Sequence, residues 1–400
     1  MSSIRNLYLD HVAQTSEMSM CIEVSHAAGV YIFGPNNKKY LDFNSGISVS
    51  SLGHSHPAVV DAVKKQAETY MHTMVYGEHI QLPQVQYATL LSKILNNGLN
   101  SVYFVNSGSE AVEAALKLAR KVTGRSEIIA CAGAYHGSTI AAESLRSDFA
   151  FTRNYLPTIP GVNHIRFNNT DDLQCITEKT ACVILEPVQA EGGIIPPQND
   201  YLQKVKKRCE ETGTLMILDE IQTGFGRTGS LFAHQKYQVL PDILLIAKAM
   251  GGGMPIGALV AQKELMMTLA KNPPLGHITT FGGHPVCVAA ALATLEVLTS
   301  QSIVAEVAQK EKLLITLLKH PLIKSVRSSG LMMSVQLVDA SLLTPIIDKA
   351  IANGVLIDYF LFDNVSFRIA PPLIITPDQI REGVEKILNA MDYVMANNMK

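Results

Sequence analysis

The sequence predicts an α/β protein built on a mainly parallel sheet, and two observations support this fold class. Unbroken apolar runs of strand length recur in the middle of the chain, as in EIIACA, ACVILEP, TLMILDE and DILLIA. Such runs are typical of parallel strands that are covered by helices on both faces. Amphipathic segments with helical periodicity, among them EAVEAALKLARKV and DYLQKVKKRCEET, alternate with these runs and provide the covering layers.

The first part of the chain, up to about Gly53, has the pattern of short strands and turns. A helix is expected from Pro57, because proline is favoured at the first helical position, and its apolar stripe includes Val59 and Val63. SVYFV then predicts a strand ahead of the EAVEAALKLARKV helix, and GALVA predicts one more strand.

After about Pro285 the pattern changes to that of a smaller α+β unit. A long helical region ending near His320 is expected first, followed by strands in SVRSSGLMMSVQLV and VSFRIAPPL and by a helix near residues 342–353. Thr376 and Gln379 have the spacing of a capping box at the start of a last helix.

Composition narrows the range of functions. The chain has 400 residues, of which 47% are hydrophobic and 17% charged, with a formal net charge of −2. This balance predicts a large core and no disorder, and without a basic stripe nucleic acid is not an expected partner. No apolar run reaches the length of about 18 residues that a membrane span needs, and the N-terminus does not have the pattern of a secretory signal.

Six cysteines without a C-x-x-C pair indicate a reducing, cytoplasmic environment.

Lys248 follows an aliphatic run and precedes three glycines, in ILLIAKAMGGG. It lies at the carboxyl end of a predicted parallel strand, which is the end where open sheets bind ligands. A desolvated, deprotonated lysine is a nucleophile toward aldehydes and forms Schiff bases. A solvated lysine at a strand end is the structural alternative.

Asp219 ends a second aliphatic run, in LMILDEIQTG. A buried carboxylate at this edge of the sheet needs a cationic partner. A protonated pyridine nitrogen is one such partner, and this pairing tunes pyridoxal phosphate. The alternative is a side chain that caps a turn.

Two further stretches follow predicted strands. In VNSGSEAVEAALKLAR a small-residue turn leads into a helix, whose first N–H groups offer an anion site, although Ser107 and Glu110 also fit a capping box. In GAYHGST, Tyr135 lies beside glycine and is a candidate for stacking on a planar ring, with ordinary packing as the alternative.

GFGRTG matches G-x-G-x-x-G at Gly224, Gly226 and Gly229. A dinucleotide site requires that a helix begin at once and that an acidic residue lie about 20 positions further on. The following SLFAHQKYQVLPD has poor helical periodicity, so a nicotinamide cofactor is not favoured. His54 and His56 have no acidic or cysteine cluster nearby, and no metal site is expected.

Six motifs follow one another along the chain in a specific order. They are NSGSEA, YHG, EPVQAEGG, LDEIQTGFGRTG, AKAMGGGMPIGA and TTFGGHP. The chain resembles the class III (subgroup II) aminotransferases, which have fold type I and depend on pyridoxal phosphate, and among them the acetylornithine and ornithine branch. The resemblance implies a large domain with a seven-stranded sheet at 54–285 and a smaller domain at 286–400. It also implies an N-terminal segment at 1–53 that packs with the small domain, and a homodimer with shared active sites.

By this resemblance Lys248 holds the cofactor covalently as a Schiff base and Asp219 pairs with the pyridine nitrogen. The other residues implied to contact the cofactor are Ser107, Gly108, Ser109, Tyr135, His136, Glu186, Val188, Gln222 and, toward the phosphate of the neighbouring subunit, Thr280. The residues implied to contact substrate are Arg368, its partner Glu191, Tyr76 and Ser138. Acetylornithine and ornithine enzymes have a carboxylate-binding arginine where this chain has Ser138.

The implied reaction moves an amino group from an amino acid or ω-amine donor to a 2-oxo acid, either 2-oxoglutarate or pyruvate, by a ping-pong mechanism. An aminomutase or epimerase of the same fold is the first alternative. A non-catalytic relative that only binds pyridoxal phosphate is the second, although the intact Lys248, Asp219 and Gln222 count against it.

Overall fold

The computed structural model describes residues 4–17, 20–95 and 98–398. Ahead of the largest sheet the chain forms short strands and helices, which are α1 (Ile4–His11), β1 (His26–Ala28), β2 (Tyr31–Phe33), β3 (Lys39–Asp42), α2 (Ser45–Ser48), α3 (Pro57–Thr69) and α4 (Leu82–Leu95). The central part alternates strands and helices, which are β4 (Ser101–Val105), α5 (Gly108–Thr123), β5 (Glu127–Cys131), α6 (Ile140–Glu143), α7 (Phe149–Thr152), β6 (Val162–Ile165), β7 (Thr180–Leu185), α8 (Tyr201–Thr212), β8 (Leu215–Asp219), α9 (Ala233–Lys236), β9 (Ile243–Ile246), β10 (Gly257–Ala261) and α10 (Lys263–Met266).

The last part contains α11 (Pro285–Ser300), α12 (Val307–Leu317), β11 (Ile323–Ser328), β12 (Met333–Leu337), α13 (Leu343–Ala352), β13 (Val355–Leu356), β14 (Asp358–Tyr359), β15 (Ser366–Ile369) and α14 (Pro377–Asn398). The predicted capping box before α14 is present, because the Thr376 N–H donates to Gln379 Oε1 and the Gln379 N–H donates to Thr376 Oγ1. Among the described residues, no helix has both the length and the apolar character needed to cross a membrane.

The seven-stranded sheet has the order β4-β10-β9-β8-β7-β5-β6. The neighbours from β9 to β6 pair in parallel, whereas β10 runs antiparallel to both β9 and β4. The predicted mainly parallel α/β sheet is therefore confirmed. The carboxyl ends of β4, β5, β7, β8 and β9 all lie at one edge of the sheet, and the turns that follow these strands meet there.

The two faces of this sheet explain the unbroken apolar runs. Along β7, Cys182 and Ile184 belong to one apolar cluster with helix α5, and Val183 and Leu185 belong to a second cluster on the other face. All six residues of the strand are buried. Because successive side chains of a strand point to opposite faces, a strand covered on both sides needs apolar residues at consecutive positions.

Two smaller sheets connect the ends of the chain. Strands β11, β12, β15 and β14 form one of them, and β1, β2 and β3 form the other together with β13, which pairs parallel to β3. The Ala370 N–H donates to the Phe43 carbonyl, and Tyr31 Oη donates to Glu382 of α14. The N-terminal segment thus contacts the last part of the chain. The boundaries at 53 and 285 stay predictions.

The local structure differs from the sequence-based expectations in four places. The segment before Gly53 also contains helix α1, and the helical region after Pro285 is broken between Ser300 and Val307 into α11 and α12. Helix α4 was missed, although its buried Tyr87, Leu91 and Leu95 have the four-residue spacing of a helix face. Strand β6 was missed because its VNHI sequence is short and half polar.

Candidate active site

A cavity of about 390 Å³ opens at the carboxyl edge of the large sheet. It is formed by the turns after β4, β5, β7, β8 and β9. Nine of the predicted site residues line it, and they are Ser107, Gly108, Ser109, Tyr135, His136, Glu186, Asp219, Gln222 and Lys248. Residues that are far apart in sequence meet here because parallel strands end at the same edge.

Lys248 begins a single helical turn two residues after the end of β9. Burial lowers the pKa of its amine below 10.5, although the charges of Glu191, Asp219 and Glu186 act in the opposite direction. The residue has a φ angle of 46°, in the left-handed region that non-glycine residues rarely adopt. A desolvated amine on a strained backbone is typical of a functional lysine.

Asp219 ends β8 and is buried together with His136. His136 Nδ1 lies 2.7 Å from Asp219 Oδ2, and Asp219 Oδ1 accepts the Ile221 N–H at 3.0 Å. Within the described chain, the buried Nε2 of His136 has no hydrogen-bond partner. The carboxylate is therefore held at two points, while the histidine ring keeps an unused nitrogen beside the cavity.

The turn between β4 and α5 supplies the N-terminus of a sixteen-residue helix. Ser107 Oγ accepts the Glu110 N–H at 3.2 Å, but the Glu110 carboxylate accepts the Asn106 N–H, so only half of the predicted capping box is present. The first N–H groups of a helix have no partner inside it and attract anions. Gly137 packs closely against Ser109. A Cβ atom added at residue 137 would lie 2.2 Å from Ser109 Oγ, so a larger residue would not fit at this position.

Two acidic residues follow β7. Burial and the charge of Asp219 raise the pKa of the Glu186 carboxyl group well above its usual range, and Glu186 accepts the N–H groups of Ala190 and Tyr135 at 3.1 and 3.4 Å. Glu191 is also buried, and its two carboxylate oxygens lie 2.9 and 2.7 Å from Arg368 Nη2.

Arg368 lies on β15 and is 2% exposed. Its guanidinium group stacks over the Phe360 ring at 4.7 Å. Among the described residues its buried Nε and Nη1 atoms have no hydrogen-bond partner. Because an unpaired buried donor of a charged group is costly, these two atoms indicate where a ligand carboxylate would bind.

Some predicted site residues lie elsewhere. Val188 is fully buried in a small apolar cluster with Ala190 and Phe360, and it is not part of the cavity lining. Tyr76 lines a second cavity of about 520 Å³, and Thr280 is exposed. A single chain therefore does not bring Tyr76 and Thr280 to Lys248.

The structure adds residues that the sequence analysis did not identify. Asn106 and Ile221 line the cavity that contains Lys248, and each is a direct neighbour of a predicted residue. Val49 reaches the same cavity from the N-terminal segment, and no sequence signal pointed to it. Ser138 does not line the cavity but contacts two residues that do, because its Oγ lies 3.2 Å from the Tyr135 hydroxyl and its N–H donates to Ser109 Oγ at 3.4 Å.

The GFGRTG motif forms a turn and does not begin a helix directly after β8. Gly226 and Gly229 both have φ angles of 90°, and Arg227 between them is fully buried. The geometry of a dinucleotide fingerprint is absent from this part of the described chain. His54 pairs with Asp42 at 2.8 Å between Nε2 and Oδ2.

Comparisons with known proteins agree with this arrangement. A profile of the family described as aminotransferase class-III matches residues 12–391. The chain is 39% identical over 384 residues to an acetylornithine aminotransferase of Methanocaldococcus jannaschii, covering 93% of both chains. It is 36% identical to an acetylornithine aminotransferase of Archaeoglobus fulgidus, covering 95% of this chain and 98% of the relative.

Solved structures show the same fold. An ornithine aminotransferase from Toxoplasma gondii superposes with a TM-score of 0.91 at 30% identity, covering 99% of this chain and 95% of that one. A transaminase from the marine bacterium Virgibacillus superposes with a TM-score of 0.92 at 26% identity, covering 99% and 100%.

The fold and the cavity define a fold type I transferase whose cofactor is pyridoxal phosphate. The chain belongs to the class III aminotransferases.

The residues of the cavity that contains Lys248 fit this cofactor. The helix N-terminus at Gly108 and Ser109 suits a phosphate group. Two buried polar atoms on cavity residues, His136 Nε2 and Gln222 Oε1, have no partner within the described chain, so the site is built for a polar ligand. The desolvated amine of Lys248 suits an aldehyde.

Proposed function

We propose that the enzyme transfers the amino group of an amino acid or ω-amine donor to 2-oxoglutarate or pyruvate in a ping-pong reaction through Lys248. One observation carries this proposal: the desolvated amine of Lys248 shares a cavity with the buried pair of Asp219 and His136. The similarity to acetylornithine and ornithine aminotransferases supports donors with an amine remote from a carboxylate.

The bound cofactor supplies an aldehyde and an electron-withdrawing ring. We assign its phosphate to the N–H groups of Gly108 and Ser109, its aromatic face to Tyr135 and its protonated nitrogen to Asp219. His136 holds the Asp219 carboxylate in place from 2.7 Å. Gln222 faces the same cavity and is assigned to the ring hydroxyl.

Lys248 Nζ is assigned the proton transfer. A neutral amine at this position would take the proton from the amino-bearing carbon of the donor and pass it to the cofactor, which would leave the half-reaction carrying the amino group. Because burial lowers its pKa, a larger fraction of the amine is neutral at a given pH than in water. Glu186, whose carboxyl pKa is raised, adds less negative charge around Asp219 than an ionised group would.

Arg368 is assigned the carboxylate of the 2-oxo acid, and Glu191 is its gate. With no such carboxylate bound, Glu191 neutralises Arg368 through contacts at 2.7 and 2.9 Å. The unpaired Nε and Nη1 atoms support a second binding partner, because a guanidinium group binds carboxylates through two parallel hydrogen bonds. The same active site can thus bind an acceptor whose carboxylate contacts Arg368 and a donor that has no carboxylate at Arg368.

We further propose a homodimer in which Tyr76 and Thr280 complete the partner's site. Exposed apolar residues near the second cavity, including Met74, Val85 and Ile278, support this surface as the interface. The division into 1–53, 54–285 and 286–400 is proposed with it. The cysteine usage supports a cytoplasmic location.

The test is a half-reaction in the absence of any acceptor. A donor added to the enzyme must change the cofactor absorbance, and 2-oxoglutarate or pyruvate added afterwards must restore it. An aminomutase or epimerase would need no acceptor over many turnovers. The proposal is wrong if no amino acid or ω-amine changes the absorbance.

A further inference from the structure

Arg146 is a buried guanidinium group that the reaction described above does not use. It follows helix α6, and its side chain is 8% exposed. The guanidinium carbon lies 4.8 Å from the centre of the Tyr135 ring and 5.2 Å from that of Phe151. Stacking between two aromatic rings fixes the plane of a guanidinium group and leaves its edge free to donate hydrogen bonds.

The surroundings of Arg146 place it between the two halves of the site. Tyr135, on one side, lines the cavity that contains Lys248. Phe151, on the other side, packs edge to face on Phe362 at 5.5 Å. The Phe362 N–H donates to the Glu191 carbonyl, and the Glu191 side chain holds Arg368. Arg146 is therefore connected through Tyr135 to the cavity and through Phe151 and Phe362 to the Glu191–Arg368 pair.

The hydrogen bonds of Arg146 are incomplete. Nε lies 3.2 Å from Glu143 Oε2 in an ion pair, and Nη2 reaches Ser138 Oγ only at 3.4 Å. The ion pair at Nε does not have hydrogen-bond geometry, so within the described chain the buried Nε of Arg146 has no hydrogen-bond partner, and the buried Oε1 of Glu143 has none either. Arg146 thus keeps a donor atom that no protein group uses in a hydrogen bond, and the one anion next to it, Glu143, is poorly engaged. This arrangement is expected of a carboxylate-binding site that an internal carboxylate occupies until a ligand displaces it.

We propose that Arg146 binds a carboxylate of the amino donor, so that the preferred donors are ω-amino acids and not simple amines. This inference rests on the proposed function and specifies its substrate class. Glu143 occupies the guanidinium group in the free enzyme, and the donor carboxylate replaces it. Ser138 adds a hydroxyl at the same place. Because Arg368 carries the carboxylate of the acceptor, the two guanidinium groups serve different ligands.

The test compares donors that differ only in the carboxylate: 5-aminopentanoate against pentylamine, and 4-aminobutyrate against butylamine, each with 2-oxoglutarate or pyruvate. In Arg146→Gln we expect kcat/KM for the two amino acids to fall about 10- to 100-fold, as for the loss of a hydrogen bond to a charged group. The values for the two amines should change less than about twofold. Arg153→Gln, which alters an exposed arginine nearby, is the matched control.

The substitution Glu143→Gln should have the opposite effect on donor binding. Without its internal competitor, Arg146 should bind 5-aminopentanoate more tightly, so that KM for this donor falls while pentylamine is unaffected. Calorimetric binding of pentanoate, which cannot react, gives a readout independent of turnover: affinity should fall in Arg146→Gln and rise in Glu143→Gln. A purely structural role would move both donors of a pair equally in both variants.

Equal losses for 5-aminopentanoate and pentylamine in Arg146→Gln, or unchanged pentanoate binding, would overturn the inference. If Arg146→Gln does not fold, the direction in which KM for 5-aminopentanoate changes in Glu143→Gln decides: a fall supports the inference, and a rise or no change overturns it. If wild type consumes no donor at all, the proposed function fails, and pentanoate binding in the two variants still reports on Arg146 alone.

Discussion

His136 Nδ1 and Asp219 Oδ2 lie 2.7 Å apart, and both side chains are buried. This contact joins the turn after β5 to the end of β8 and fixes the carboxylate that we assign to the pyridine nitrogen. Asp219 also accepts the Ile221 N–H, so its orientation is set before any ligand binds. Such preorganised groups need no rearrangement during a reaction.

Asp219→Asn should lower the rate of the first half-reaction about a thousandfold. Loss of a charge pair at about 4 Å forfeits on the order of 4 kcal/mol at an intermediate dielectric, and each 1.4 kcal/mol corresponds to about a tenfold change in rate. Stopped-flow measurement of the half-reaction gives the value. A rate within about threefold of wild type, which corresponds to less than about 1 kcal/mol, would contradict the assignment.

His136→Phe should have a smaller effect of the same kind. It removes the partner of Asp219 Oδ2 and keeps the carboxylate charge, so we expect weaker binding of the cofactor and a rate loss of roughly 10- to 100-fold, as for one hydrogen bond to a charged group. Equilibrium titration of the apoprotein with pyridoxal phosphate measures the affinity. An unchanged affinity and rate would show that the contact has no role.

The buried amine of Lys248 should make the stability of the apoprotein depend on pH. Its pKa is below 10.5 in the folded state, so the unfolded chain binds more protons between the folded pKa and 10.5. Stability contributed through this group therefore rises with pH across that window and falls as pH decreases toward the folded pKa. Denaturant unfolding of wild type and Lys248→Met, compared at each pH, isolates the contribution, and parallel profiles would contradict it.

Glu191→Gln and Arg368→Gln should separate the two substrates. Arg368→Gln removes the group assigned to the 2-oxo acid, and KM for 2-oxoglutarate should rise about 10- to 100-fold. Glu191→Gln removes the competing anion at 2.7 Å, so KM for 2-oxoglutarate should stay or fall while that of a donor without an α-carboxylate rises. Steady-state kinetics with both substrates varied measures each value, and equal shifts for both substrates would refute the gate.

Arg227→Ala should destabilise the protein by on the order of 3 kcal/mol, because it leaves several buried acceptors unpaired. Its guanidinium group is fully buried and donates to the carbonyls of Leu331 and Pro371 and to Ser51 Oγ. Burial lowers the pKa of Arg227 to about 9. Denaturant unfolding gives the free energy, with the exposed Arg381→Ala as the control, and similar losses in both variants would be contrary to this expectation.

The sequence was most informative where strands end. Lys248 and Asp219 were identified because each follows an apolar run, and parallel strands present their carboxyl ends to one edge. The strand order and the direction of β10 depend on long-range pairing, which local patterns do not contain. Val49 and Arg146 depend on how separate segments pack, and no periodicity indicated either of them.

The covalent bond between Lys248 and pyridoxal phosphate is the central claim, and borohydride reduction tests it most directly. The holoenzyme, reduced and digested, should yield one peptide that contains AKAMGG with the pyridoxyl group fixed on Lys248, and Lys248→Ala should yield none. A reduced enzyme that releases all its cofactor on denaturation, or carries it on a different lysine, would contradict the account.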